Sequence, residues 1–175
     1  MNEGSFAMAP MVAIAIALVA CVTDLRSRRI PNLLTFGSAF MALVFHGVIA
    51  GPSGVVHALG GWGAGVLMFL PFFALRGLGG GDVKLLAALG AWLGAGTVLW
   101  VALFTGIVGG ALALVVTLAR GELGRVLRNF YLLFGFWRVM GVRPFPELTL
   151  ERPGAPRLAY AVPIFAGLSL ALWLK

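Results

Sequence analysis

The stretch Leu85–Ala119, LLAALGAWLGAGTVLWVALFTGIVGGALALVVTLA, contains no charged residue and decides the fold. A transmembrane helix needs about 20 apolar residues, so this stretch is too long for a single span. A turn near Gly94–Gly96 divides it into two spans and keeps the flanking basic residues Arg76 and Arg120 on the same side of a membrane. The positive-inside rule favours that arrangement and makes the shared side the cytoplasm. The stretch therefore predicts a helical hairpin across a membrane.

The rest of the chain has the same apolar character. Of the 175 residues, 61% are hydrophobic and 11% are charged, and the mean hydropathy is +1.01. Soluble domains contain about 45–50% apolar and about 25% charged residues. We therefore predict an all-α polytopic membrane protein with six transmembrane helices, in which residues 1–175 form a single transmembrane domain. The remaining apolar stretches are Ala7–Val22, Leu33–Ala50, Val55–Leu75 and Leu158–Leu174.

The placement of charge predicts both the topology and the partners. A net charge of +7 would suggest nucleic acid for a soluble chain, but here the basic residues crowd the connections that six spans place on one side. Between Gly121 and Arg157, arginines alternate with apolar and aromatic residues, which favours an amphipathic helix in the membrane interface between helices five and six. Anionic lipid explains these arginines. We therefore expect contact with membrane lipid and no binding of nucleic acid.

Two aspartates border apolar helices at the predicted cytoplasmic face. Asp24 closes helix one and Asp82 opens helix four, whereas the other acidic residues lie near the N-terminus or in the long polar connection. Two carboxylates that face each other in a partly dry site do not both ionise easily, so one keeps its proton. The ionised group then takes a proton from water while the protonated group polarises a scissile carbonyl. This pair is typical of an aspartic peptidase.

Each aspartate also has a purely structural interpretation. Asp24 is spaced to pair with Arg28 at i,i+4, and Asp82 is placed to act as the N-cap of its helix. The location of both acids on one face favours the catalytic interpretation. The glycine-rich residues 77–81 support it, because glycines leave the backbone open to pairing with a peptide substrate.

No metal or cofactor is expected. The single cysteine, Cys21, excludes an internal disulfide and multi-cysteine metal motifs. His46 and His57 belong to the outer ends of helices two and three, whereas Asp24 and Asp82 lie at inner ends. This placement argues against a shared His/Asp site, and each histidine is predicted to be an interfacial polar group.

The residues around both aspartates resemble a known family. Residues 24–26 (Asp-Leu-Arg), residues 30–32 (Ile-Pro-Asn) and residues 79–85 (Gly-Gly-Gly-Asp-Val-Lys-Leu) are similar to motifs of the type IV prepilin peptidases, membrane aspartic peptidases with a Gly-x-Gly-Asp signature. The late segment Tyr-Ala-Val-Pro, residues 160–163, is similar as well. The resemblance implies that Asp24 and Asp82 are catalytic and that the substrates are pilin-like precursors. It also implies cleavage of a short basic leader at the cytoplasmic face of the bacterial inner membrane.

The resemblance extends to a particular form of that family. Larger members carry a cytoplasmic part with paired cysteines and methylate the new N-terminus. This chain lacks that part, so it resembles the minimal, peptidase-only form that serves tight-adherence (Flp) pili. Methyltransferase activity is therefore expected to be absent.

Residues next to the two aspartates are weaker candidates for substrate binding. Pro31 occupies a position where proline also favours the start of a helix. Lys84 is placed either to meet a substrate carboxylate or to snorkel toward the membrane surface. The candidate residues are Arg26, Pro31, Asn32, Gly79, Gly80, Gly81 and Lys84.

Three other functions remain open from the sequence. The chain is also compatible with a presenilin-like membrane protease that has other substrates. A non-catalytic assembly protein of a pilus or secretion machine would use the aspartates only to cap helices. A small transporter with a proton relay is disfavoured, because both acids lie on one face and neither lies in the middle of the membrane.

Overall fold

The computed structural model describes residues 3–143 and 159–174, and in these ranges it contains five helices and no strand. This confirms the predicted all-α class. Among the described residues, three helices are long and apolar enough to cross a membrane, namely α1, α2 and α3, and α5 is a shorter apolar helix. The helices are α1 (Glu3–Ser27), α2 (Asn32–Ala74), α3 (Gly80–Ala119), α4 (Leu123–Met140) and α5 (Ala161–Trp173).

Both of the longest helices are broken at a glycine. Gly51 in α2 has φ 59° and ψ −142°, and Gly94 in α3 has φ 77° and ψ 168°. Glycine adopts a positive φ without the steric cost that a Cβ imposes. A single residue therefore redirects the helix at Gly94, where the sequence predicts a turn, and at Gly51, which lies between two of the apolar stretches. The predicted count of six separate helices differs from the structure for this reason, since each break joins two helical segments without a loop.

α3 lies at the centre of the bundle and packs against α1, α2 and α5. Its residues Leu85, Leu86 and Leu89 are fully buried, as are Ile164 and Leu168 of α5. α2 and α3 approach each other through glycines, because small residues let two helices pack closely. A Cβ on Gly61 would overlap the carbonyl group of Gly90, and one on Gly65 would lie 2.6 Å from the carbonyl oxygen of Leu86.

Gly106 and Gly110 of α3 have the same small-residue spacing, which lets helices approach closely. They have open space beside them in the described part of the chain. Both glycines line a surface groove between α2 and α3.

The predicted amphipathic helix is present as α4, which has no buried residue. It separates α3 from α5, as the sequence predicts for the segment between the last two apolar stretches. α5 covers most of the last apolar stretch, and residue 158 of that stretch lies outside the described residues.

Candidate functional site

Four helix ends meet at one end of the bundle, which we call the carboxylate end. It comprises the last turns of α1 and the first turns of α2, α3 and α5. The main-chain N–H of Ala161 in α5 donates a hydrogen bond to Asp24 Oδ2 in α1 at 3.3 Å. Lys84 Nζ in α3 donates to Asn32 Oδ1 in α2 at 3.0 Å. These two bonds join residues far apart in sequence.

Asp24 is 8% exposed and lies near the C-terminal end of α1. A carboxylate is disfavoured there, because the helix dipole places partial negative charge at that end. The N-terminus of α5 compensates for this unfavourable position of the carboxylate, because it carries partial positive charge and supplies the hydrogen bond from Ala161. The main-chain carbonyl of Asp24 accepts the last hydrogen bond of the helix, from the N–H of Arg28. The positive φ of Arg28, 54°, ends the helix there.

Asp82 is 9% exposed and lies in the first turn of α3. Gly79 occupies the N-cap position of that helix, and the Asp82 N–H donates to its carbonyl oxygen at 3.1 Å. The interpretation of Asp82 as the N-cap is therefore wrong, because the chain enters the helix three residues earlier. The charges of Asp24 and Asp82 are within electrostatic range of each other. The structure thus brings the two predicted acids together at one end.

The glycine run that precedes Asp82 packs closely around it. A Cβ on Gly79 would lie 3.1 Å from Asp82 Oδ2, and one on Gly81 would lie 3.4 Å from Cβ of Ile30. Gly80 and Gly81 belong to the first turn of α3 rather than to a loop. The first N–H groups of a helix have no partner within it. The run therefore leaves room for the carboxylate and places main-chain N–H groups beside it.

The other predicted binding residues occupy the same end in different ways. Pro31 is the N-cap residue of α2, one position before the helical turn predicted for it. Lys84 lies over the Phe36 ring at 5.2 Å while it bonds to Asn32, so its position links α2 to α3. Arg26 is exposed in the last turn of α1.

Tyr160 was not among the predicted site residues, although its segment carried part of the family resemblance. It precedes α5, packs edge-on against Phe69 with ring centroids 6.1 Å apart, and lies within electrostatic range of Asp82. It also contacts Gly109, where a Cβ would lie 2.9 Å from the Tyr160 hydroxyl oxygen. Tyr160 is far from Asp82 in sequence, so the sequence does not show that the two are close. The short Tyr-Ala-Val-Pro segment was the only feature of the sequence that pointed to Tyr160.

An apolar groove of about 750 Å³ extends from Tyr160 along α2 and α3. Its wall is open and almost entirely nonpolar, and Tyr160 supplies a phenol group to it. The groove therefore connects the carboxylate end to the lateral surface of the bundle. The residues that define it here are Phe69, Phe72, Leu103, Gly106, Gly110 and Tyr160.

His46 and His57 lie together at the opposite end, with ring centroids 5.1 Å apart. The sequence predicted both to lie away from the aspartates but did not predict their contact. Across residues 3–143 and 159–174, no group of three or more His, Cys, Asp or Glu side chains is placed to hold a metal ion.

Known proteins provide an independent comparison. Residues 11–114, which include both aspartates, match the type IV leader peptidase family model. The chain is 35% identical over 138 residues to a prepilin leader peptidase/N-methyltransferase of Pectobacterium carotovorum subsp. carotovorum, an alignment that covers 75% of this chain and 48% of the relative. It is 30% identical over 105 residues to the Neisseria gonorrhoeae protein of that name, covering 57% and 37%. The chain thus spans about half or less of these curated relatives, and no solved structure matches significantly.

Proposed function

The chain belongs to the type IV leader peptidase family, and from this premise we propose that it is an intramembrane aspartic endopeptidase. Its substrates are pilin-like precursors, from which it removes a short basic leader. The observation that carries the proposal is the meeting of two buried carboxylates, Asp24 and Asp82, at one end of the bundle. Both lie inside the region that matches the family.

The two carboxylates are proposed to have different roles. Asp24 accepts a main-chain N–H from the start of α5, which holds its carboxylate in place. In the proposed mechanism Asp24 takes a proton from water as the water oxygen attacks the scissile carbonyl carbon. Asp82 keeps its proton and donates a hydrogen bond to the carbonyl oxygen. The C–N bond then breaks as the leaving amine takes the proton from Asp24, without a covalent intermediate.

The substrate backbone is proposed to lie along the start of α3. The N–H groups of Gly80 and Gly81 offer donors beside Asp82, and Gly79 leaves its carboxylate uncrowded. Lys84 and Asn32 hold α2 and α3 together at this point. Arg26 and Pro31 are proposed to contact the substrate as well, because Arg26 lies in the last turn of α1 and Pro31 is the N-cap residue of α2.

The apolar groove is proposed to receive the hydrophobic segment that follows the scissile bond. It is lined by Tyr160, which lies within electrostatic range of Asp82, and its glycines allow a helix to approach closely. A helix seated there would place its N-terminal end at the carboxylates.

Filling this groove is expected to reduce cleavage without disturbing the bundle. Gly106→Leu adds a large side chain to the groove where the structure has open space. We expect cleavage of a pilin-type precursor to fall about tenfold, which corresponds to about 1.4 kcal/mol of lost substrate binding. Initial rates in detergent, at several precursor concentrations, should assign the loss to KM.

Gly96→Leu is the matched control for this variant. Gly96 is also exposed in α3 with open space beside it, but it does not line the groove. Its substitution should leave cleavage near the wild-type rate. Equal effects of the two substitutions would contradict the assignment of the groove to the substrate.

We further propose that the breaks at Gly51 and Gly94 divide α2 and α3 into two membrane crossings each. α1 and the shorter apolar helix α5 add one crossing each, which gives six in all. The carboxylate end then faces the cytoplasm of a bacterial inner membrane. The two breaks support this topology, because they lie at the end opposite to Asp24 and Asp82. The concentration of arginine in the connections supports the orientation.

Single-cysteine labelling tests that topology. In a Cys21→Ser background, a cysteine at Ser53 should react with an impermeant thiol reagent applied to intact cells. Cysteines replacing Arg26, Arg76, Arg125 or Arg143 should react only after the membrane is opened. Labelling of the Arg26 or Arg76 position from outside would place the carboxylates on the wrong face and overturn the proposed topology.

The proposed activity is tested by co-expressing the chain with a pilin-type precursor and following leader removal by gel shift. Cleavage is expected with the wild-type chain and is expected to persist in the presence of a metal chelator. A precursor that stays intact beside folded wild-type protein would favour the non-catalytic assembly role.

A further inference from the structure

The two histidines lie on either side of the break in α2. His46 precedes Gly51 and His57 follows it, yet their ring centroids are 5.1 Å apart with an angle of 57° between the planes. With Zn–N bonds of about 2.0–2.1 Å, two imidazoles that share a tetrahedral ion have centroids about 5 Å apart. The spacing of the two rings therefore fits one bound ion.

The hydrogen bond of His46 leaves its other nitrogen available. His46 Nε2 lies 3.1 Å from the carbonyl oxygen of Trp92. A carbonyl oxygen only accepts, so Nε2 carries the hydrogen and Nδ1 has a free lone pair. Metal-binding histidines are commonly held in this way, with the second ring nitrogen donating to a backbone carbonyl. Trp92 lies two residues before the break at Gly94, so both helix breaks contribute to the arrangement.

The surroundings place the His57 ring against the break in α3 and leave space for water. The imidazole of His57 lies directly against Gly94, where a Cβ would overlap its Cε1 atom. A cavity of about 520 Å³ adjoins both rings and is lined in part by Ser53 and Thr97. Water molecules have room there to complete the coordination of an ion.

We propose that His46 and His57 bind one divalent transition-metal ion, which links the two halves of α2 across its break. Imidazole ligands suit Zn²⁺, Cu²⁺ and Ni²⁺. The site lies at the opposite end from Asp24 and Asp82 and takes no part in peptide hydrolysis. An ion that binds the folded chain raises its apparent stability. The bound ion therefore stabilises the end of the bundle that contains the two helix breaks.

The test uses the full chain in detergent, purified without a histidine tag and in the Cys21→Ser background, with ZnSO₄ as the added ion. Calorimetric titration should give saturable binding of one ion per chain, and the thermal unfolding midpoint should rise as the site fills. The chain contains two histidines, so electron paramagnetic resonance of the Cu²⁺ form should report two imidazole nitrogens.

Two variants remove the ligands while keeping the local packing. His57→Phe retains a ring against Gly94, and His46→Gln retains an N–H donor for the Trp92 carbonyl. Each should fold and lose the zinc-dependent shift, whereas Asp82→Asn should bind zinc like the parent chain whether or not it cleaves precursors. Absence of saturable binding in the parent chain, or unchanged binding in both histidine variants, would overturn the proposal and leave the proposed peptidase function untouched.

Discussion

Replacing either aspartate by asparagine is expected to abolish precursor cleavage while the protein still inserts into the membrane. Asparagine keeps the size of aspartate but neither ionises nor supplies an acidic proton. Asp24→Asn removes the group proposed to accept the proton from water, and Asp82→Asn removes the group proposed to polarise the carbonyl. Losing one member of a unit that acts together costs about as much as losing both. The double variant should therefore be no worse than either single one.

The measurement is leader removal by gel shift in co-expressing cells, with the inserted protein quantified in parallel. Glu122→Gln is the matched control, because Glu122 is an acid outside the site that pairs with Arg125 at 2.9 Å on the surface. Exposed ion pairs contribute about 0–1 kcal/mol, so this variant should cleave normally. Near-normal cleavage by Asp82→Asn at normal protein levels would refute the peptidase mechanism.

The meeting of Asp24 and Asp82 could be predicted from the sequence because topology alone constrains it. Each acid borders an apolar stretch, and the basic connections fix which ends lie on the same side. The positions of the turns were predictable too, since glycines interrupt the apolar stretches at both. The second helical segment begins directly after each of those glycines, without a loop. The apolar pattern does not reveal this, because a positive φ at one residue does not alter composition.

The contacts made by α5 could not be predicted in the same way. The bond from Ala161 to Asp24 and the approach of Tyr160 to Asp82 depend on how a short helix packs after a long polar connection. Neither hydropathy nor spacing specifies that packing. The contact between His46 and His57 could not be predicted either, because it depends on the direction that Gly51 gives to the second half of α2.

Placing a side chain between α2 and α3 is expected to destabilise the bundle strongly. Gly61 lies in backbone contact with Gly90 and Gly94, so the added atoms of Gly61→Leu meet main chain that has no rotamer to change. Overpacking of this kind costs about 1–3 kcal/mol and sometimes more, and we expect the upper end here. The first half of α3 packs against Gly61 and Gly65. Because Asp82 lies in the first turn of α3, its position is expected to change as well.

The neighbouring residue provides the control for that variant. Gly60 is exposed in the same helix with open space beside it, and replacing a helical glycine by leucine favours the helix by up to about 1 kcal/mol. Gly60→Leu should therefore accumulate and cleave normally, whereas Gly61→Leu should show a lower thermal unfolding midpoint and little cleavage. Equal stability of the two variants in detergent would mean that α2 and α3 do not meet through their glycines. In that case contacts other than those of Gly61 and Gly65 would have to hold Asp82 near Asp24.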